Sequence, residues 1–297
     1  MPLKNQLHAN QLLSNVSVQY KNAEYIWDKV FPAVQVSKDT DLYRVYDRNF
    51  KLPETARAPK GLARESTFEF STSSYALKQH AIKDYIGVDE AANNDIGSLQ
   101  VDATEYLTDI IYRRMEKDLS DLFTNTSWSL NVTLAVAFSS NTTTSDPVPV
   151  FDTGASTIIS NSGKIPNFGI LPRAGFVSVK NHVSVLDRVK YTSSEVSQSM
   201  VGALLGIPEL HVPVAQYDTA HDGLAASMSN FFTHAFIGWK PANPGMKQPS
   251  AGYMFMNSAP RVRSWFDDER NATAVECEIK FQPKVVASLC GYLITGI

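Results

Sequence analysis

The stretch SLQVDATEYLTDIIYRRMEKDLSDLFTN, residues 98–125, carries the strongest structural signal in the chain. Leu99, Ala103, Tyr106, Leu107, Ile110, Ile111, Met115, Leu119, Leu122 and Phe123 recur at intervals of three and four, the pattern of a helix with one apolar face. Asp102 and Glu105 fall in the first turns, where the helix dipole favours anions. Asp109 and Arg113 stand four residues apart and form an i,i+4 pair. At 1.5 Å per residue the helix spans about 42 Å, more than twice the length of a mean helix. A stripe of this width predicts a long helix facing a core, and not a membrane or a cofactor.

Two segments before this helix lack the means to bury themselves. Residues 1–41 contain VQYKNAEYIWDKVFPAVQV (18–36), with Tyr20, Tyr25, Trp27 and Phe31 scattered ahead of Pro32. That is too apolar for a disordered tail and too short for its own core, so this arm must lie against something else. Residues 42–83 hold two alternating runs, LYRVYDRNF and STFEFSTSSYALKQ, which read as strands. LPETARAPKGLARE lies between them, and its Pro53, Pro59 and Gly61 exclude a central strand or helix. The prediction is a long hairpin whose charged tip carries Arg48, Lys51, Arg57, Lys60 and Arg64 against Glu54 and Glu65. An isolated hairpin is marginal in water; this one must fold back or rest on a neighbour.

After the long helix comes a Thr/Ser/Asn-rich strand-and-loop region, SLNVTLAVAFSSNTTTSDPVPVFDTG. An extended piece and a helix around 174–187 follow. SSEVSQSMVGALLG predicts another helix closed by Gly206, and ELHVPVAQYDT a strand. GWKPANPGMKQPSAG reads as a loop, and RVRSWFDDE, ATAVECEIKFQP and KVVASLCGYLITGI as three closing strand-like runs. Strands and helices are segregated, which places the chain in the α+β class.

The 297 residues, 43% of them hydrophobic, suffice for a substantial core. A net charge of −3 offers no basic excess for nucleic acid or anionic membrane. No run reaches the length of a membrane span and no secretion signal opens the chain, so synthesis in the cytosol is expected. The two cysteines, Cys277 and Cys290, form no Cys-x-x-Cys pair and read as small buried thiols.

FDTGAS (151–156) matches the Asp-Thr-Gly signature of aspartic proteases. Their chemistry needs two carboxylates sharing one proton, and the chain holds one such triplet. Pro147 and Pro149 precede it, where a well-paired strand is wanted. The sequence behind it favours a helix starting near Asp152 or Thr153. Glycine-rich nucleotide loops, His-Glu-x-x-His and Gly-x-Ser-x-Gly are absent from the sequence. The six histidines show no metal-ligand spacing, and His211, Asp218, His221 and Asp222 read as solvated loop residues. No catalytic, cofactor or metal site is expected.

This order of elements resembles the major capsid proteins of tailed bacteriophages with the Hong Kong 97-like fold. VQYKNAEYIWDKVFPAVQVSKDTDLYRVYDR (18–48) is similar to the N-arm and E-loop start of one capsid subfamily. NHVSVLDRVKYT (181–192) is similar to a helix of that subfamily, with Val183 where proline is usual. ALLGIPELHVPVAQYDTA (203–220) resembles the helix, turn and strand that follow. The resemblance implies an N-terminal arm over 1–41, an E-loop hairpin over 42–83, and a peripheral domain over 84–165 with its spine helix at 98–125. An axial domain would occupy 166–250, and 251–297 would return strands to the peripheral domain.

The same resemblance implies a structural protein, not an enzyme. Subunits would assemble as hexamers and pentamers into an icosahedral shell around double-stranded DNA, built in the host cytoplasm and retained in the virion. Tyr20, Trp27, Phe31, Arg48, Lys51, Arg57, Lys60 and Arg64 would make contacts between subunits. Lys51 and Lys60 occupy the loop in which some members form a Lys–Asn crosslink, although solvated charges are the plainer expectation. A separate scaffolding protein, a portal and a decoration protein are implied partners, with weak DNA contact and no membrane or cofactor. Two alternatives stand beside this reading: an encapsulin-like cargo compartment and a dimeric aspartic protease using Asp152.

Overall fold

The structure is a computed structural model that describes residues 25–46, 52, 54–57, 59–65, 70–94, 97–124, 128–190, 196–221, 223–244 and 248–297. The chain opens with a short helix α1 (Trp27–Val30) and strand β1 (Ala33–Gln35). The hairpin strands β2 (Thr40–Tyr46) and β3 (Phe70–Ala76) follow, then β4 (Lys78–Gly87) and α2 (Val88–Ala92). The long helix α3 spans Leu99–Thr124. β5 (Asn131–Thr133), α4 (Pro147–Ser162), β6 (Phe168–Ile170), α5 (Arg173–Lys180), α6 (Val183–Val189) and α7 (Gln198–Leu204) come next. The remainder is strand: β7 (Glu209–His211), β8 (Gln216–Asp218), β9 (Met228–Asn230), β10 (Ala235–Gly238), β11 (Gly252–Met256), β12 (Arg261–Asp267), β13 (Ala272–Val285) and β14 (Gly291–Thr295).

Two five-stranded sheets organise the molecule. The first is built around β13. Its residues 272–281 pair antiparallel with β4, 272–278 with β12 on the opposite side, and 281–285 with β11, which carries β1 in parallel. Ala272, Ala274, Cys277, Ile279 and Phe281 are buried along β13. Helix α3 covers this sheet: Leu107, Ile111, Met115, Leu119 and Phe123 join Val275, Cys277, Ile279 and Phe281 in one core. The expected apolar face is the buried one except at Tyr106, which is 60% exposed, and the helix ends within a residue of its expected limits. Both cysteines are buried and free, as expected.

The second sheet runs β5-β14-β10-β6-β7. Helix α4 packs on it so closely that a Cβ on Gly154 would stand 2.9 Å from both Ile237 and Tyr292 side chains. An aromatic hub fuses the two layers. Phe123, from the last turn of α3, stacks on Trp128 at 5.8 Å and meets Phe236 of the second sheet edge-on at 4.8 Å. Trp128 satisfies its indole N–H by donating to the Leu122 carbonyl (3.0 Å).

Several expectations are corrected. The region before FDTGAS is mostly not strand, and helix α4 begins at Pro147, not near Asp152. Asp146 caps it by accepting the Val148 N–H (3.0 Å), and both prolines lie in the first turn, where a missing N–H costs nothing. The helix expected around 174–187 is two helices, broken at Asn181–His182. The His182 Nδ1 accepts the Ser184 N–H (3.2 Å) and starts α6, while its Nε2–H donates to Ser145 Oγ (3.1 Å). The strand expected over 209–219 is two short strands, β7 and β8, with Pro213 between them. Residues 251–297 do not return to one sheet: β11, β12 and β13 join the first, and β14 crosses to the second. Likewise β5 and α4 pack with the second sheet, so the expected boundary at residue 165 does not follow the packing. The α7 helix does end before Gly206, whose φ of +70° suits the expected cap.

The α3–β13 contact is testable directly. Leu119 is fully buried in it, so Leu119→Ala is expected to lower stability by about 2–5 kcal/mol, read from chemical denaturation; a loss below about 0.5 kcal/mol would contradict the packing.

Candidate assembly surfaces

The root of the arm, residues 25–31, is not a loose extension. The Tyr25 hydroxyl donates to Asp109 Oδ1 (2.7 Å), and Arg113 pairs with the other oxygen, Oδ2 (2.6 Å). Trp27 stacks on Tyr112 with ring centroids 5.9 Å apart. Phe31 is fully buried, packed against Phe123 at 5.7 Å and lying where a Cβ on Gly252 would collide at 2.2 Å. Two charged side chains close the ends of α1. Glu116 of α3, 0% exposed, accepts the N–H groups of Ile26 (3.1 Å) and Trp27 (2.9 Å) through Oε2. At the other end the Lys240 ammonium donates to the Lys29 carbonyl and pairs with Glu209 at 2.8 Å. Each charge has the sign that its end of the helix favours. Burial pushes the Glu116 carboxyl up to about 7, and the two backbone N–H groups oppose that rise only in part.

Beyond its base the hairpin leaves the core. Tyr75 stacks on Phe255 at 4.8 Å, Ala76 N–H donates to Gln282 Oε1 (2.8 Å), and Lys280 pairs with Asp39 (2.6 Å). These contacts pin β2 and β3 to the first sheet. Towards the tip, Leu52 and Leu62 are 96% and 98% exposed, and Arg57, Lys60 and Arg64 lie open beside them. Lys60 takes a positive φ of 64° in the turn after Pro59. Strand β12 also exposes apolar side chains, Val262 and Phe266 on one face and Trp265 on the other. An open groove of about 310 Å³ separates this strand from the first turns of α3, lined by Val101, Thr104, Glu105, Val262 and Ser264.

Of the residues expected to contact other subunits, Tyr20, Arg48 and Lys51 lie outside the described residues. Arg57, Lys60 and Arg64 are together on the exposed tip, far in sequence from the arm. Trp27 is half-buried against its own long helix. Phe31 is corrected: it is consumed by its own core and has no surface to offer a neighbour. Sequence reasoning missed Glu116 and Lys240. The available signal was a carboxylate three residues before Leu119 and seven before Phe123, hence on the apolar face of α3.

The protease geometry is not met. Asp152 sits exposed in the second turn of α4, a helix and not a catalytic turn. The following Thr153 donates its hydroxyl to the Pro149 carbonyl (2.7 Å), and Gly154 serves helix–sheet packing. Asp218 accepts the N–H groups of Ala220 (2.9 Å) and Ser227 (2.8 Å), which hold its carboxyl below the usual range and spend it on a turn. Among the described residues no group of three or more His, Cys, Asp or Glu is placed to hold a metal ion.

No protein-family model matches the chain. Among curated proteins it is similar to the major capsid protein of Burkholderia phage BcepMu, with 24% identity over 298 residues covering 96% of this chain and 95% of that one. Among solved structures it is similar to a phage-related protein from Bordetella bronchiseptica RB50, with a TM-score of 0.74, 22% identity and 96% of each chain covered. It is also similar to the capsid of cyanophage P-SCSP1u, with a TM-score of 0.63, 10% identity, and 93% of this chain and 89% of that one covered. The architecture is the α+β, Hong Kong 97-like capsid fold. The chain is a homologue of phage major capsid proteins.

Proposed function

We propose that this chain is the major capsid subunit of a tailed phage, assembling as hexamers and pentamers into the icosahedral shell of the virion. The observation that carries the reading, beside the homology, is the hairpin. It is pinned to a rigid sheet at its base and presents Leu52 and Leu62 almost bare at its tip. Exposed leucines on a projecting arm are surface reserved for another chain, and in a closed homo-oligomer that chain is a second copy. On this reading residues 1–41 act as the N-arm and 42–83 as the E-loop. The first sheet with α3 acts as the peripheral domain, and the α4 to β10 region supplies the axial domain. Tyr20, Trp27, Arg48, Lys51, Arg57, Lys60 and Arg64 serve contacts between subunits. Assembly takes place in the host cytoplasm with a separate scaffolding protein, a portal at one vertex and a decoration protein as partners. DNA fills the shell; an enzyme inside isolated particles would favour a cargo compartment instead.

Deleting residues 50–64 is expected to leave a folded subunit, because the base contacts of the hairpin lie outside the deletion, yet to abolish stable shells in electron micrographs. Intact shells from this deletion would refute the role of the hairpin. The net charge of −3 limits contact with packaged DNA to weak, salt-sensitive binding. Mobility-shift titration of free subunits should show no retention at physiological salt, and tight binding there would contradict the proposal.

A further inference from the structure

The clamp on α1 has a property that shell geometry does not require. A four-residue helix has almost no stability of its own, so residues 25–31 stay docked through what holds them: Phe31 in the core, Trp27 on Tyr112, and the two end charges. The end charges come from different layers. Glu116 belongs to α3 over the first sheet, and Lys240 follows β10 of the second. Undocking would return both side chains to water. For Lys240 the change is small, since Glu209 still pairs with it. For Glu116 it is large, since docking is what completes its burial beneath Ile26 and Trp27.

We propose that residues 25–31 form a two-ended latch, held by Glu116 and Lys240, that closes with uptake of one proton in mildly acid solution and loosens as the pH rises towards neutrality. The geometry accommodates the proton. The Ile26 N–H is shared between Glu116 Oε1 (3.2 Å) and Oε2 (3.1 Å) and the Trp27 N–H goes to Oε2 (2.9 Å), so a hydrogen on Oε1 gives up only the longer arm of the shared bond and leaves each N–H an acceptor. The sign follows from the two environments. Docked, Glu116 titrates near 7; undocked, it returns to the ordinary carboxylate value of 4.5. Its contribution to closure is full below the lower value and is lost as pH rises through the upper one. The charged neighbours do not reverse this. From α1, Asp28 raises the Glu116 value and Lys29 lowers it. On α3, Asp109 is occupied by Arg113 and Tyr25. On the strand side of α3, Asp118 faces His80 of β4 at 3.8 Å and pairs with Arg114 at 2.9 Å. At the Lys240 end stand Glu209 and His211, whose imidazole is held below its usual range by burial.

The test is native-state hydrogen exchange of the peptide covering residues 25–31 in the full-length free subunit, corrected for intrinsic exchange, between pH 5 and 8.5. In the wild type, protection should fall by up to about tenfold per pH unit between about 5 and 7, the slope of one proton, and level off above 7. Glu116→Gln keeps an acceptor for the two N–H groups and removes the titration, so its protection should be flat with pH. Lys240→Met should lower protection at every pH and leave the slope intact. Protection independent of pH in the wild type, or a wild-type slope in Glu116→Gln, would overturn the latch. Unchanged protection in Lys240→Met would overturn its two-ended form. The readout uses unassembled subunits, so either failure leaves the shell reading untouched.

Discussion

The seating of the long helix α3 on strand β13 is the contact on which the other features depend. Its apolar face supplies Leu107, Ile111, Met115, Leu119 and Phe123 to the core of the first sheet. Leu, Ile and Met side chains buried to this degree contribute about 1.5–3 kcal/mol each. The last turn then does a second task. Phe123 lies among Trp128, Phe236 and Phe31, so the helix end binds the second sheet and the arm root at one point. The fourteen-residue strand β13 provides the matching support, with β4 and β12 on its two sides over residues 272–278.

Around that rigid frame the chain leaves surface that one subunit cannot cover. The hairpin base is cemented by Tyr75, Phe255, Gln282 and Lys280, and the tip is bare. Strand β12 is an edge, and Arg263 on it is paired with Glu276 at 2.8 Å and lies over Trp265. Charge along an edge discourages indiscriminate strand pairing, while Val262, Trp265 and Phe266 remain available to a shaped partner. A rigid core with extensions that need a neighbour is the physical requirement for a shell built from many copies. The homology to phage capsid proteins agrees with it.

What could be read from the sequence was local. The helix at 98–125 appears as Leu99–Thr124 because its periodicity is written into consecutive turns. The hairpin strands are found where alternation placed them. The bounds and partners of three-residue strands such as β5, β6 and β7 were not legible, because their pairing depends on segments far along the chain. The break at His182 was hidden because an imidazole acting as a helix cap looks like any polar residue. The start of α4 was misplaced because Pro147 and Pro149 were weighed against a strand and not for a first helical turn. Glu116 carried the least warning: its burial is created by an arm about ninety residues earlier. The assembly residues divide the same way. Arg57, Lys60 and Arg64 were legible as a charged tip, whereas the burial of Phe31 depends on the space left by Gly252.

Electron cryomicroscopy of particles formed by the purified protein tests the central claim most directly. The account predicts closed shells of hexameric and pentameric capsomers, with residues 52–65 resting on an adjacent subunit and residues 25–31 docked on their own long helix. Compact monomers or dimers in every preparation, with no closed particles, would contradict it.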